Sequence, residues 1–328
     1  MLARYTGVTD PGRRRRRNED AYVCQPPLFA IADGMGGAQA GEVASGLAAA
    51  VLEEATGDEQ RDQQGEERVA ALIQEANRRV FQRSNEDAAT SGMGTTMTVA
   101  LVDNSDGSIA FGHVGDSRAY RIRGGELEQL TDDHSLVGEL VRSGRLSPEE
   151  AETHPQRSVI TRALGTEPDV DVDTFTTEAE PQDVYVLCSD GLTDMISPRE
   201  ILAILERSRD LEDAAHGLID AANAGGGEDN ITVVLFEING DEPDAGETAQ
   251  MPAAPPAADD DEDTLSPLDA VPAVDTAVIP AAAVREQLQE EDTEGQRRSE
   301  PRRRILPLVL LILILIALVA LAVWGLTR

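Results

Sequence analysis

Aromatic side chains make up only 3% of the 328 residues, with a single tryptophan, so a core must be assembled mainly from Ala, Val, Leu and Ile. Cations are scarce too: 28 Lys and Arg face 61 Asp and Glu, a formal net charge of −33. Such a surface repels polyanions, which argues against nucleic acid as a partner. Cysteine is nearly absent. Cys24 and Cys188 both lie in apolar stretches ("AYVCQ", "VYVLCSD") and read as buried, reduced thiols of a cytosolic domain, not as a disulfide framework. No Cys/His ligand spacing exists, so a structural zinc site is not expected. No apolar run follows the first charge of "MLARYTGVTD", so no signal peptide is expected.

What is present changes character twice. Residues 1–238 alternate apolar segments with turn signals, as a folded domain does. Residues 239–300 are rich in Asp, Glu, Ala and Pro, cannot bury enough apolar surface to fold, and read as a disordered acidic linker. Residues 301–328 hold a basic segment and then "ILPLVLLILILIALVALAVW", an uncharged run over 305–324. At 1.5 Å per residue, twenty residues span ~30 Å, the thickness of a bilayer's hydrocarbon core. The arginines at 297, 298 and 302–304 precede the run, which by the positive-inside rule puts that side in the cytoplasm. The expectation is a single-pass protein of the cell membrane with its folded domain cytoplasmic.

Within 1–238, strand-like runs fall at 28–33, 96–102, 108–116, 119–123, 183–190 and 230–238. Amphipathic helical segments fall at 40–55, 66–84, 132–144, 197–208 and 210–225, with Ser197-Pro198 forming an N-cap and first helical position. Hairpin-like turns such as "VDNSDGS" and "RGGE" connect the strands. The pattern predicts an α+β fold, antiparallel sheet with helices packed outside.

Four of these runs carry an aspartate at one end: Asp33, Asp116, Asp190 and Asp229. A single strand-end Asp is ordinarily a turn residue. Four of them, each abutting an apolar strand and three in glycine-rich loops, suggest carboxylates gathered where strand ends meet. Gathered carboxylates repel unless a cation lies between them, and oxygen ligands suit Mg2+ or Mn2+.

The segments "RRRRRNEDAY", "FAIADGMGGAQAGEVAS", "GMGTTMTVAL", "GHVGDSRAYRIR", "LTDDHSLVGELVRSG", "HPQRSVITRALG", "CSDGLTD" and "EDNITVVL" resemble, in order, the motifs of the bacterial metal-dependent type 2C protein serine/threonine phosphatases. The resemblance implies two packed antiparallel β-sheets flanked by antiparallel helix pairs. It implies two Mn2+ or Mg2+ ions, with a weaker third. Asp33 would bridge the pair, the Gly34 carbonyl would ligate one ion, and Asp190 and Asp229 would hold the other. Asp20 would sit beside them, as would Glu19 through water. Asp116, Asp190 and Asp194 would form the third site. The implied reaction is in-line attack on phosphoserine or phosphothreonine of proteins by a hydroxide held between two ions. A membrane Ser/Thr kinase is the expected counterpart. Residues 131–165 correspond to the family's mobile flap.

The arginine run also takes its meaning from the resemblance. The motif's phosphate-binding arginine lies four residues before the Glu of the acidic pair, which is Arg15 when counted from Glu19. Arg13, Arg14, Arg16 and Arg17 become a solvated rim, and a slip of register would substitute Arg16 or Arg17. Met35 stands where some relatives carry a proton-donating His, as it commonly does in the bacterial branch, which leaves the general acid open. His113 is expected to pack near Asp116 and His154 to cap the turn before Pro155. Two other readings compete. One is an inactive phosphoprotein-binding module of the same fold, which the presence of Asp33, Asp190 and Asp229 speaks against. The other is a sporulation-type phosphatase acting on an anti-sigma-factor antagonist, for which no preceding sensor domain is seen.

Overall fold

The computed structural model describes residues 2–36, 40–56, 65–86, 88–103, 107–208, 210–239 and 277–278. The chain begins with strands β1 (Leu2–Asp10), β2 (Asp20–Gln25) and β3 (Leu28–Met35), followed by helices α1 (Ala40–Thr56) and α2 (Glu66–Glu86). Strands β4 (Gly94–Thr95), β5 (Met97–Val102), β6 (Ser108–Val114), β7 (Arg118–Arg123) and β8 (Glu126–Gln129) come next. The short elements α3 (Leu136–Arg142), α4 (Pro148–Glu152) and β9 (Val159–Ile160) precede β10 (Asp173–Glu178) and β11 (Val184–Cys188). The order closes with α5 (Asp190–Thr193), α6 (Pro198–Arg207), α7 (Leu211–Gly225), β12 (Ile231–Ile238) and β13 (Ala277–Val278).

Two antiparallel sheets result, ordered β1-β12-β11-β7-β8 and β10-β6-β5-β3-β2, as the alternation of strands and tight turns predicts. The few aromatic residues are concentrated between them. Phe29 stacks on Phe236 at 4.5 Å, Phe236 on Tyr185 at 5.0 Å, and Phe111 on Phe175 at 5.1 Å. Aliphatic and alanine side chains fill the outer layers. Val69, Ile73 and Val80 of α2 and Ala44, Ala48 and Leu52 of α1 cover one sheet, while Ile201, Ile204, Leu218 and Ile219 of α6 and α7 cover the other. The layering is helix pair, sheet, sheet, helix pair.

Helix starts follow local chemistry. Ser197 accepts from the Glu200 N–H while Glu200 reaches back to Ser197, a capping box with Pro198 in the first turn. The helix expected over 132–144 is shorter: Ser135 caps at Gly138, so α3 begins only at Leu136. The strand expected to stop at Asp33 runs on to Met35, because Gly34 and Met35 pair with Thr95 and Gly94.

Within the stretch expected to be linker, Ala277–Val278 pairs in parallel with Val159–Ile160. The compact unit holding these strands runs to Val278. No helix among the described residues is long and apolar enough to cross a membrane, and the run at 305–324 lies outside those residues.

Candidate active site

The apolar run of β3 buries Leu28 to Ala32 and delivers Asp33 to the end of its sheet. Directly across β2–β3, Asp33 faces Asp20 in register. From the other sheet, Asp190 opens α5 just after β11, and Asp229 lies two residues before β12. Since β11 and β12 are hydrogen-bonded neighbours, the two acids share one sheet end. Asp116 follows β6 through Gly115, and Asp194 ends α5.

The loops are stitched together by backbone. Gly12, at φ +78°, lies so close to the Asp229 carbonyl that a Cβ would come within 2.2 Å of it. The Arg13 and Arg14 N–H groups donate to the Gly227 carbonyl at 2.7 and 3.2 Å. Asn230 completes the seam: its Nδ2 donates to the carbonyls of Pro11 and Arg17, and its Oδ1 accepts from the Glu19 N–H at 2.8 Å. Gly34 donates to the Glu19 carbonyl and has no room for a Cβ, which would lie 2.2 Å from the Gly41 carbonyl.

Among the five arginines the geometry singles out Arg15. Its Nη2 donates to Asp229 Oδ2 at 2.7 Å, and it is the half-buried member of the run. Arg13, Arg14, Arg16 and Arg17 are exposed; Arg14 lies 3.5 Å from Glu228 and Arg17 4.0 Å from Glu42. Burial works against the Arg15 charge, but Asp229, followed by Glu19 and Asp33, more than offsets it and raises its pKa.

The carboxylates form one electrostatic cluster. Burial raises the Asp20 pKa to about 6 despite hydrogen bonds from Thr232 and Ser189. Burial, then the charges of Asp20, Asp190, Asp229 and Asp116, pushes Asp33 well above the ordinary carboxylate range. Asp190 rises likewise through burial and then Asp116, Asp229 and Asp194, and burial and Asp133 lift Asp116 to about 7. Asp229 and Glu19 are also raised, chiefly by burial, with Arg15 opposing. Asp194 is exposed and receives Arg157 Nε at 3.4 Å.

Among the described residues no three Asp, Glu, His or Cys side chains already converge as closely as the ligands of one ion. What they share is a field and a set of bare oxygens. Asp20 Oδ1, Asp116 Oδ1 and Asp190 Oδ1 are buried without a hydrogen-bond partner. Buried carboxylate oxygens left unpaired are costly, and a hard divalent cation satisfies them. The donor set, all oxygen, fits Mn2+ or Mg2+.

Neither candidate histidine enters the cluster as an acid. His113 is buried, receives the Thr98 hydroxyl proton on Nδ1 and donates from Nε2 to the Asp132 carbonyl; burial pushes its pKa down to about 3. It packs against His134, 4.7 Å between ring centroids, and His134 accepts from the Gly115 N–H beside Asp116. His154 accepts from the Gln156 N–H, tying the turn at Pro155. Met35 is buried against Ile160 and Ala163, which brings the segment 131–165 up to the end of β3 beside Asp33 and Gly34. Sequence reasoning missed Asn230, Ser189 and Thr232. Their only local signal is position, each lying within three residues of Asp190 or Asp229.

The protein phosphatase 2C family model matches residues 13–221. The serine/threonine phosphatase stp of Listeria welshimeri is 43% identical over 70% of this chain and 94% of its own length. The phosphatase PhpP of Streptococcus pneumoniae is 42% identical over 71% and 96%. The crystal structure of the Mycobacterium tuberculosis phosphatase PstP/Ppp superposes with a TM-score of 0.69 at 40% identity, covering 73% of this chain and all of that one. A structure of the PstP catalytic domain with two manganese ions gives 0.67 at 38%, covering 73% and 99%. The chain belongs to the protein phosphatase 2C family.

Proposed function

We propose that this chain is a serine/threonine protein phosphatase that hydrolyses phosphoserine and phosphothreonine with two Mn2+ or Mg2+ ions, a third binding more weakly. The observation that carries this reading is the Arg15–Asp229 pair beside mutually charged, buried carboxylates, three of which have a buried oxygen without a hydrogen-bond partner. Asp20, Asp33, the Gly34 carbonyl, Asp190 and Asp229 would hold the pair of ions, with Glu19 reaching them through water. Asp116, Asp190 and Asp194 would hold the third. When bound, the ions make water nucleophilic at neutral pH and neutralise charge at the phosphoryl group.

The protein's own part is positional. Arg15 spends one N–H on Asp229 and has others to place on phosphoryl oxygens in a fork geometry. Asp229 aims that guanidinium. The pair arrives with the loop pinned by Asn230, so the phosphate meets a preset cation instead of a mobile one. His113, neutral and enclosed, leaves the leaving-group proton to water. Met35, Ile160 and Ala163 give the site an apolar border next to Asp33.

The same reading places the enzyme at the cell membrane, held by the run at 305–324 with the catalytic domain in the cytoplasm, opposing a membrane Ser/Thr kinase. The uncharged twenty-residue run and the arginines before it support this.

The test is hydrolysis of a phosphothreonine peptide by the full chain with Mn2+ and with a chelator. Turnover should require Mn2+ and vanish in Asp33→Ala. Turnover that survives chelation, or survives Asp33→Ala unchanged, overturns the reading.

A further inference from the structure

Asp20 is held by a chain of hydroxyls that has no role in the fold's ladders. Thr9 of β1 and Thr232 of β12 are register partners, and their side-chain oxygens meet at 2.7 Å. Asn18 Nδ2 donates to Thr9 at 2.7 Å, while Asn18 Oδ1 accepts from the Asp20 N–H at 3.1 Å. Thr232 Oγ1 donates to Asp20 Oδ2 at 2.5 Å, and Ser189 Oγ donates to the same oxygen at 2.9 Å.

The direction of this chain is fixed at both ends. An amide NH2 only donates and a carboxylate only accepts. Every hydroxyl proton between them therefore points one way: Asn18 to Thr9, Thr9 to Thr232, Thr232 to Asp20. Ser189 adds a second proton at the same acceptor. It occupies the N-cap position of α5, where a serine ordinarily bonds the first turn, yet its side chain makes no cap bond and turns to Asp20 instead. The Thr232 N–H in turn donates to Ser189 Oγ at 3.0 Å, locking that hydroxyl in place.

The consequence for Asp20 is an asymmetry. Oδ2 holds two hydroxyl protons, and Oδ1 is buried and bare. A free aspartate rotates broadly about χ2 and presents either oxygen. We propose that Thr232 and Ser189, backed by Thr9 and Asn18, are positioning residues that fix the Asp20 carboxylate with one oxygen committed and the other presented to a divalent cation. This rests on the assignment of Asp20 to the metal centre. It adds residues from the two strands β1 and β12, in the sheet opposite Asp20, to the determinants of metal affinity.

The experiment titrates Mn2+ into the metal-free full chain by calorimetry, without substrate, and records the metal-free melting temperature of each variant. Thr232→Val keeps the shape and removes the proton. It should weaken Mn2+ binding about tenfold or more, the usual effect of removing a group that orients a metal-ligating side chain. Thr232→Ser should restore most of the affinity. Ser189→Ala should weaken binding also, and Thr9→Val, one step removed at an exposed position, should weaken it less. These two keep the test alive if Thr232→Val does not fold. A lower melting temperature with unchanged Mn2+ affinity across the set would reduce the chain to a structural tie and overturn the proposal. Asp20→Asn separates the two levels. If it weakens Mn2+ binding while the hydroxyl variants do not, only the positioning idea fails. If it binds Mn2+ like the parent, the assignment of Asp20 fails first.

Discussion

Arg15 and Asp229, 214 positions apart in the chain, meet at 2.7 Å. On the proposed assignment, the arginine that would clamp phosphate is thereby tied to a carboxylate that would hold metal. Arg15→Ala should raise KM more than it lowers kcat, because the clamp binds the phosphoryl group in both ground and transition states. A hydrogen bond to a charged group is worth roughly 1.5–3 kcal/mol, or about 10- to 150-fold in kcat/KM. Steady-state kinetics on a phosphothreonine peptide measure this. Arg16→Ala, at an exposed position, should be silent; the reverse pattern would move the clamp along the run.

Acid should stabilise the metal-free protein. Asp20 and Asp116 have folded pKa values of about 6 and 7 against an ordinary 3.8, with burial the first cause in each. Buried neutral His113 opposes this, its proton being held only by the unfolded chain. Asp33 and Asp190 are raised as well, so the folded state holds more protons on balance and stability falls as pH rises from about 4 to 7. Mn2+ supplies the missing positive charge, so its stabilisation should grow over the same interval. Melting curves at pH 5 and pH 8, with chelator and with Mn2+, test both signs. A metal-free protein that melts higher at pH 8 would contradict the electrostatic picture.

Gly12→Ala should damage both stability and catalysis. The residue sits at φ +78°, and its Cβ would press on the Asp229 carbonyl. A left-handed alanine costs about 1–2 kcal/mol before any clash, which for a domain of this size is a melting temperature lower by roughly 2–8 °C. The arginine loop would also shift against Asp229, so kcat/KM should drop. Gly46→Ala is the control: in the middle of α1, with open space around the position, it should be neutral or stabilising.

Removing residues 301–328 should release the protein from the membrane fraction and leave kcat/KM on a soluble peptide within about twofold. On the proposed membrane reading, dephosphorylation of a membrane-bound substrate should slow. The compact unit runs to Val278, and the segment 279–300 would reach only ~26 Å as a coil, holding the domain close to the bilayer until the anchor is removed. Fractionation and paired assays decide it. A truncated protein still found with membranes would place the anchor elsewhere.

The parts of this molecule most legible in the sequence are those with local causes. The helix over Pro198–Arg207 announces itself through Ser197, Pro198 and Glu200, and the buried runs of β3, β5 and β12 through continuous apolar residues. Asp33 and Asp229 are legible as acids abutting such runs. β1 and β10 are not. Polar residues interrupt both, and each is defined as a strand by a distant partner, β12 for one and β6 for the other. Thr232 and Asn230 escape notice for the same reason. What they hold lies more than two hundred positions away, at Asp20 and in the arginine loop.

The pairing of β1 with β12 also sets a schedule for making the enzyme. Leu2–Asp10 leaves the ribosome first, and its partner Ile231–Ile238 comes some 220 residues later. At ~5–20 residues per second, that strand waits roughly 10–45 s with its hydrogen-bonding edge unfilled. Asp20 and Asp33 can pair early across β2–β3, but Asp229 enters only with β12, and Arg15 lacks its carboxylate partner before it does. On the proposed assignment of the site, a nascent chain lacks Asp229 and the partner of Arg15 until that strand has been made, and hydrolysis should begin only then.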